Sequence, residues 1–260
     1  VFTLLRAGDH IVASSSFYGG TYNLLSVTLP RLGITTTFVD AHDPKAFEAA
    51  IQPTTKLVYT ETLGNPKLDF VDIAAVADVA HAHGLPLVVD NTLTPILCRP
   101  IDHGADIVIY SLTKYFSGNG TAMGGAVVDS GKFDWTNGKF PDFTEPSPGY
   151  HGLRYSETFG PAAFIVRARV EGLRDIGACL SPTNSFLIIQ GLETLSLRIK
   201  QSSQSALEIA RWLQQHPAVE WVHYPGLEQD EHHKICKRYL DGGFGCIITF
   251  GLKGGYEAAK

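Results

Sequence analysis

Lys114 closes an apolar run, Ile107-Val-Ile-Tyr110, and precedes a loop bearing Gly118 and Gly120. One candidate strand earlier, Leu85-Pro-Leu-Val-Val-Asp90 ends in an acid. A desolvated lysine amine is a usable nucleophile, able to hold an aldehyde as a Schiff base. A carboxylate beside a pyridine nitrogen keeps that nitrogen protonated, so the ring can absorb carbanion charge. A lysine and an aspartate at neighbouring strand ends are therefore what a pyridoxal 5'-phosphate (PLP) site needs. Taken alone, Lys114 is a surface lysine and Asp90 an N-cap or an ion-pair partner. The spacing, 114 − 90 = 24 residues, spans one strand–connection–strand step and lets both face one ligand.

Other residues fall at matching positions. Ser111 and Thr113 place hydroxyls beside the lysine, suited to phosphate oxygens. Gly118, Gly120, Gly124 and Gly125 let the backbone pass close to a ligand. Asn65-Pro66 follows Glu61-Thr-Leu-Gly; it is either a plain turn or an amide aimed at the ring 3'-oxygen. Tyr18 is either a core aromatic or a ring lying flat on a planar cofactor. His81 and His83, two apart on a helix, point to different faces and are expected to be solvated, as are His232 and His233 in a charged helix. No metal site is expected. No Ser-His-Asp order or phosphate-binding G-x-x-x-x-G-K-[ST] occurs, and the glycines after Lys114 do not follow the Rossmann pattern.

These residues need elements to hold them. Strand-like runs recur at Ile11–Ser14, Ile34–Val39, Lys56–Thr60, Leu85–Asp90, Ile107–Tyr110 and Gly125–Val128. Several are continuously apolar, as in parallel strands covered on both faces. Between them, Asp43-Pro44 opens one helix, and Asp72 to His83 forms another that stops at Gly84. The alternation predicts an α/β fold with a mostly parallel sheet, whose ligands sit at the carboxyl ends of strands. Phe140 to Gly152, rich in Pro, Gly and aromatics, is expected to be a long ordered loop. Helical patterns run from Ala162 to about Gln215, the last with Leu207, Ile209, Ala210, Trp212 and Leu213 on its apolar face. Val219–His223 and Cys246–Phe250 are expected to form a second, smaller sheet. The expected division is a large cofactor-binding domain over 1–198 and a small one over 199–260.

Composition sets the bounds. The 260 residues carry a net charge of −5, with 44% hydrophobic and 18% charged residues. There is no basic run to cover phosphates, which argues against nucleic acid. No apolar stretch approaches membrane-spanning length. The first residues lack the leader of a signal peptide. Cys98, Cys179, Cys236 and Cys246 are scattered without C-x-x-C spacing, as reduced cytoplasmic thiols would be.

With these residues in view, the chain resembles the Cys/Met-metabolism family of PLP enzymes over nearly its whole length. The resemblance rests on Gly8-Asp-His-Ile-Val, Phe17-Tyr-Gly-Gly-Thr-Tyr, Glu61 to Pro66, Val89-Asp-Asn-Thr and Ser111-Leu-Thr-Lys-Tyr. Ser181-Pro-Thr-Asn-Ser-Phe-Leu and Gly191-Leu-Glu-Thr-Leu-Ser-Leu-Arg198 add to it. Within the family, Phe140 to Leu153 and Gly243 to Gly251 are most similar to the O-acetylhomoserine sulfhydrylases. The resemblance implies a fold-type I architecture like that of aspartate aminotransferase, and a homotetramer of dimers with the active site at the dimer interface. It implies that Lys114 is the Schiff-base lysine and Asp90 the pyridinium partner, with Ser111 and Thr113 on the phosphate. Asn65 would bond the ring oxygen with Glu61 behind it, and Tyr18 would stack on the ring and share in catalysis. The implied reaction is γ-replacement: Lys114 moves protons at the α and β carbons, acetate leaves the γ carbon, and sulfide or a thiol adds. The product is homocysteine or methionine.

Two departures qualify the resemblance. Asp90-Asn-Thr-Leu-Thr-Pro-Ile-Leu is one residue shorter than the common family pattern, so the loop after Asp90 is expected to be shifted. The family's upstream Tyr/Arg phosphate arm, its Ser-Gly-Met-type phosphate turn and its C-terminal carboxylate-binding arginine are not found in these residues. The chain is therefore expected to be a fragment. Alternatives are cystathionine γ-synthase, a methionine or cystathionine γ-lyase, and a catalytically incomplete remnant.

Overall fold

A computed structural model describes residues 1–259. Six strands form one sheet: β1 (His10–Ser14), β2 (Thr35–Val39), β3 (Thr55–Glu61), β4 (Leu87–Asp90), β5 (Ile107–Ser111) and β6 (Gly125–Asp129). Their spatial order is β2-β1-β3-β4-β5-β6. The first five run parallel, and β6 closes the edge antiparallel to β5. The order reverses at β1 and β3. In an open α/β sheet the crevice for a ligand lies outside the carboxyl ends of strands at such a switch point.

Period-two alternation divides the strand side chains between two cores. Val12, Val58, Val89 and Val108 face one layer, with Phe47, Ile73, Val76 and Ala80 from the helices Pro44–Ala50 and Ile73–Ala82. Ile11, Leu57, Val88 and Ile107 face the other, with Trp135, Phe140, Phe143 and Phe164. Both faces are thus dry at the middle of these strands, which is why their central residues are apolar. Each such side chain contributes about 1.5–3 kcal/mol on burial.

Local chemistry sets the helix ends. The Asp43 carboxylate accepts the Lys45 N–H at 2.9 Å, and Pro44 fills the first turn. Asp72 likewise accepts the Ala75 N–H, and Gly84, at φ +61°, turns the chain toward β4.

The second half differs from expectation in several places. The Phe140–Gly152 segment is ordered but contains a short helix, Pro141–Thr144, and a 3₁₀ turn, Pro148–Tyr150. The helical stretch after Ala162 breaks at Gly177, whose φ of +74° ends one run before Pro182–Leu192 begins another. The helix Leu195–Gln215 runs unbroken through positions 198 and 199. It buries Leu195, Ile199, Ser203, Ala206, Ala210 and Leu213 at three- and four-residue intervals. Ile209 and Trp212, expected on its apolar face, are exposed. A two-stranded antiparallel sheet pairs β7 (Val219–His223) with β8 (Thr249–Leu252). β8 starts later than expected because Cys246 and Ile247 leave the strand: Ile247 faces the cavity described below.

Candidate active site

One cavity of about 700 Å³ opens at the carboxyl edge of the large sheet. It is lined by Tyr18, Glu61, Asn65, Asp90, Ser111 and Lys114, six of the seven residues singled out from sequence. Thr21, Thr92, Tyr115, Gly118, Arg198 and Ser202 complete much of the wall.

The sheet register explains the convergence. Glu61 pairs with Asp90 across β3 and β4, and Asp90 pairs with Ile109 on β5. Ser111 lies two residues beyond Ile109 and so shares its face. The loop after Asp90 is pinned from within. The Thr92 N–H donates to Asp90 Oδ1 at 2.9 Å, and the Ser111 N–H donates to Thr92 Oγ1 at 2.8 Å. Buried Asn91 accepts from the Thr62 and Thr94 hydroxyls at 2.8 and 2.6 Å and donates to the Cys98 carbonyl at 3.0 Å.

The electrostatics are those of two carboxylates taken out of water. Burial pushes the Glu61 carboxyl up to about 8; the Tyr18 N–H, donating to it at 3.0 Å, opposes this, while Asp90 and Asp69 add to it. Burial also raises Asp90, against the two bonds from Thr92. A cation placed in the cavity would relieve both.

Asn65 is held by Gly64. A Cβ there would meet Ser16 Oγ at 2.3 Å and Asp69 Oδ1 at 2.4 Å, two atoms that hydrogen-bond to each other. Tyr18 is 54% exposed, and the Lys114 ammonium nitrogen lies 5.8 Å from its ring centroid. The flat ring is presented to the cavity rather than to the core.

Thr113 departs from expectation. It does not line the cavity; its hydroxyl bonds the Gly124 carbonyl and N–H at 3.3 and 3.2 Å, tying the start of the lysine loop to its end. Lys114 is exposed in this chain, so the expected desolvation of its amine is not met. The expectation of a solvated ring fails for His232, which is buried and stacks on His42 at 4.8 Å and 7° between planes. His81 is exposed as expected, and its ring also bonds Asp106 at 2.8 Å. Arg198 and Thr92 were not singled out, although Arg198 sits in a quoted motif. Arg198 reaches the site by packing on Gly118, eighty residues away, and Thr92 by accepting the Ser111 N–H from the next strand, contacts that leave no local pattern.

The group these residues fit is a flat, phosphorylated pyridine aldehyde. Among the described residues, neither the Asn65 amide nor the Ser111 hydroxyl has a hydrogen-bond partner. Both face a cavity that also holds a primary amine, an exposed aromatic face and a carboxylate. Unpaired polar groups converging in one cleft are the signature of a ligand site.

The chain belongs to the Cys/Met metabolism PLP-dependent enzyme family, whose sequence pattern it matches over residues 1–260. It is 53% identical to the O-acetyl-L-homoserine sulfhydrylase of Leptospira meyeri over all of this chain and 61% of that protein. It is 52% identical to the homocysteine synthase of Schizosaccharomyces pombe, over 99% of this chain and 61% of that one. The chain thus spans about three-fifths of the length of the curated relatives it matches. Its fold superposes on the O-acetylhomoserine sulfhydrylase of Wolinella succinogenes with a TM-score of 0.86 at 40% identity, covering 97% of this chain and 70% of that one. A Campylobacter jejuni structure carrying an N'-pyridoxyl-lysine-5'-monophosphate superposes at a TM-score of 0.93 and 37% identity, covering 97% and 63% of the two chains.

Proposed function

We propose that the protein carrying this chain exchanges the acetate of O-acetyl-L-homoserine for sulfide or a thiol, giving homocysteine or methionine. The observation that carries this reading is the convergence of Lys114, Asp90, Glu61, Asn65, Ser111 and Tyr18 on one cavity in a chain about half identical to named sulfhydrylases.

Bound PLP supplies an electron sink for negative charge at the substrate's α-carbon. Lys114 would hold the cofactor and, once freed, would carry protons to and from the α and β carbons. Asp90 holds the proton on the pyridine nitrogen, its charge favoured once a cation faces it. Glu61 stands beside Asp90 and fixes Tyr18 through the backbone. The Asn65 amide would donate to the ring oxygen, and the Ser111 hydroxyl would donate to phosphate. Thr113 holds the loop through Gly124. Tyr18 covers the ring and keeps water from that face.

The division into 1–198 and 199–260 belongs to the same proposal, with the helix Leu195–Gln215 as the joint. So does a homotetramer built of dimers, with the active site at the dimer interface. Phe186, Ile189, Leu192, Leu197 and Met123 are exposed apolar side chains on and around one helix near the lysine loop, a surface that suits a second copy. Cytoplasmic residence is supported by free cysteines, of which Cys98 and Cys236 are buried.

Supplying the full-length enzyme with O-acetylhomoserine and sulfide, then with cysteine in place of sulfide, tests the reaction. Homocysteine formed from sulfide supports it. Product formed only with cysteine, or α-keto acid formed without any thiol, would redirect it to cystathionine synthesis or γ-elimination.

A further inference from the structure

Arg198 opens the helix Leu195–Gln215 at the cavity wall. Its guanidinium donates from Nε to Thr194 Oγ1 at 3.0 Å and from Nη2 to the Gly191 carbonyl at 2.8 Å. No carboxylate pairs with it among the described residues, so it is not held there by charge neutralisation. What it lies against is Gly118: a Cβ on that residue would stand 2.4 Å from Cζ and 2.5 Å from Nη1. Gly118 has φ +70°, and its N–H donates to the Lys114 carbonyl at 2.8 Å.

The same loop is gripped from a second side. A Cβ on Gly191 would stand 2.2 Å from the Ser117 carbonyl oxygen and 2.5 Å from that of Phe116. Helix backbone and loop backbone therefore touch without an intervening side chain, and the planar guanidinium fills the remaining angle between Gly191 and Gly118. Two glycines give the approach, and one arginine bridges them. Lysine, a point charge on a flexible stem, would not reproduce a planar fork.

We propose that Arg198 is a positioning residue for Lys114, fixing the Lys114–Gly118 turn by packing its guanidinium on Gly118 while anchored to Gly191 and Thr194. The link to chemistry rests on Lys114 being the cofactor-bearing lysine; the link to loop order does not. A lysine displaced by even an ångström loses rate out of proportion to binding.

The test is amide hydrogen exchange on the cofactor-free, full-length protein, read over residues 112–120, for wild type, Arg198→Met, Arg198→Lys and Gly118→Ala. Losing the grip exposes the Gly118 N–H, so Arg198→Met is expected to exchange about tenfold faster there while the β3 and β4 amides are unchanged. Arg198→Lys is expected to behave nearly as Arg198→Met. Gly118→Ala, which both strains a backbone at φ +70° and pushes the guanidinium off, is expected to give at least the same local acceleration. In turnover, Arg198→Met is expected to lower kcat by roughly 10²-fold with little change in KM. Unchanged exchange in Arg198→Met, acceleration spread over the whole sheet, or full protection in Arg198→Lys would each overturn the proposal. If exchange behaves as expected but cofactor labels another lysine, the positioning holds and the assignment of Lys114 falls.

Discussion

Glu61 and Asp90 are register partners at the carboxyl ends of adjacent parallel strands, β3 and β4. Two acids thus stand side by side in a mostly apolar sheet, one buried and one half-buried. Burial makes each hold its proton more firmly than a free carboxyl does, and for Glu61 the charge of Asp90 adds to it. The arrangement is costly without a cation and favourable with one.

That cost is measurable as pH dependence. Glu61 rises from about 4.5 to about 8 on folding, so the folded state keeps a proton that the unfolded state releases. Its contribution to stability is complete below about pH 4.5 and is lost progressively as pH rises toward 8. Glu61→Gln keeps an oxygen for the Tyr18 N–H but removes the titration. Urea unfolding at pH 5 and pH 8 should show the variant gaining on the cofactor-free parent at the higher pH, by on the order of a few kcal/mol.

Asp90→Asn separates fold from chemistry. Asparagine retains an oxygen for the Thr92 N–H, so unfolding at neutral pH should be no easier than in the parent. Turnover, in contrast, should fall by roughly 10²-fold or more, because the charge opposite the ring nitrogen is gone. A variant with parental turnover would remove Asp90 from the mechanism.

Gly64→Ala tests how Asn65 is aimed. The added methyl would collide with Ser16 and Asp69 and part their hydrogen bond. The expected cost is about 1–3 kcal/mol in denaturant unfolding. Weaker cofactor affinity should accompany it if Asn65 contacts the ring.

The His42–His232 stack predicts a second pH effect of opposite sign. Burial and the neighbouring His42 lower His232, against Asp230, Glu231 and Asp69, which raise it. The unfolded chain therefore protonates first, and stability present above about pH 6.5 is lost as pH falls below it. His232→Phe keeps a ring on His42 and should flatten the stability profile below pH 6.5, as followed by thermal unfolding.

Strand ends were legible because their signals are local. Apolar runs bounded by Glu61, Asp90 and Ser111 are visible in any window, and the parallel register then aligns them. The helix start at Asp43-Pro44 was legible for the same reason. Partners fixed by tertiary packing were not. Thr113 sits beside Lys114 and suggests phosphate, yet its hydroxyl turns to Gly124, eleven residues on. His232 lies in a charged stretch and suggests solvent, yet its ring meets His42 from the far half of the chain. Cys246-Ile-Ile has strand composition, but Ile247 is drawn to the cavity and Ile248 to the cluster around Tyr224. Arg198 works through glycine backbones, and a bare backbone leaves no mark in a pattern of side chains.

Lys114 carries the proposed chemistry more than any other residue. Full-length protein incubated with PLP, reduced with borohydride and mapped by peptide mass spectrometry tests it directly. One phosphopyridoxyl group on Lys114, absent from Lys114→Ala, is the predicted result. Label on another lysine, or no label on the intact protein, would contradict it.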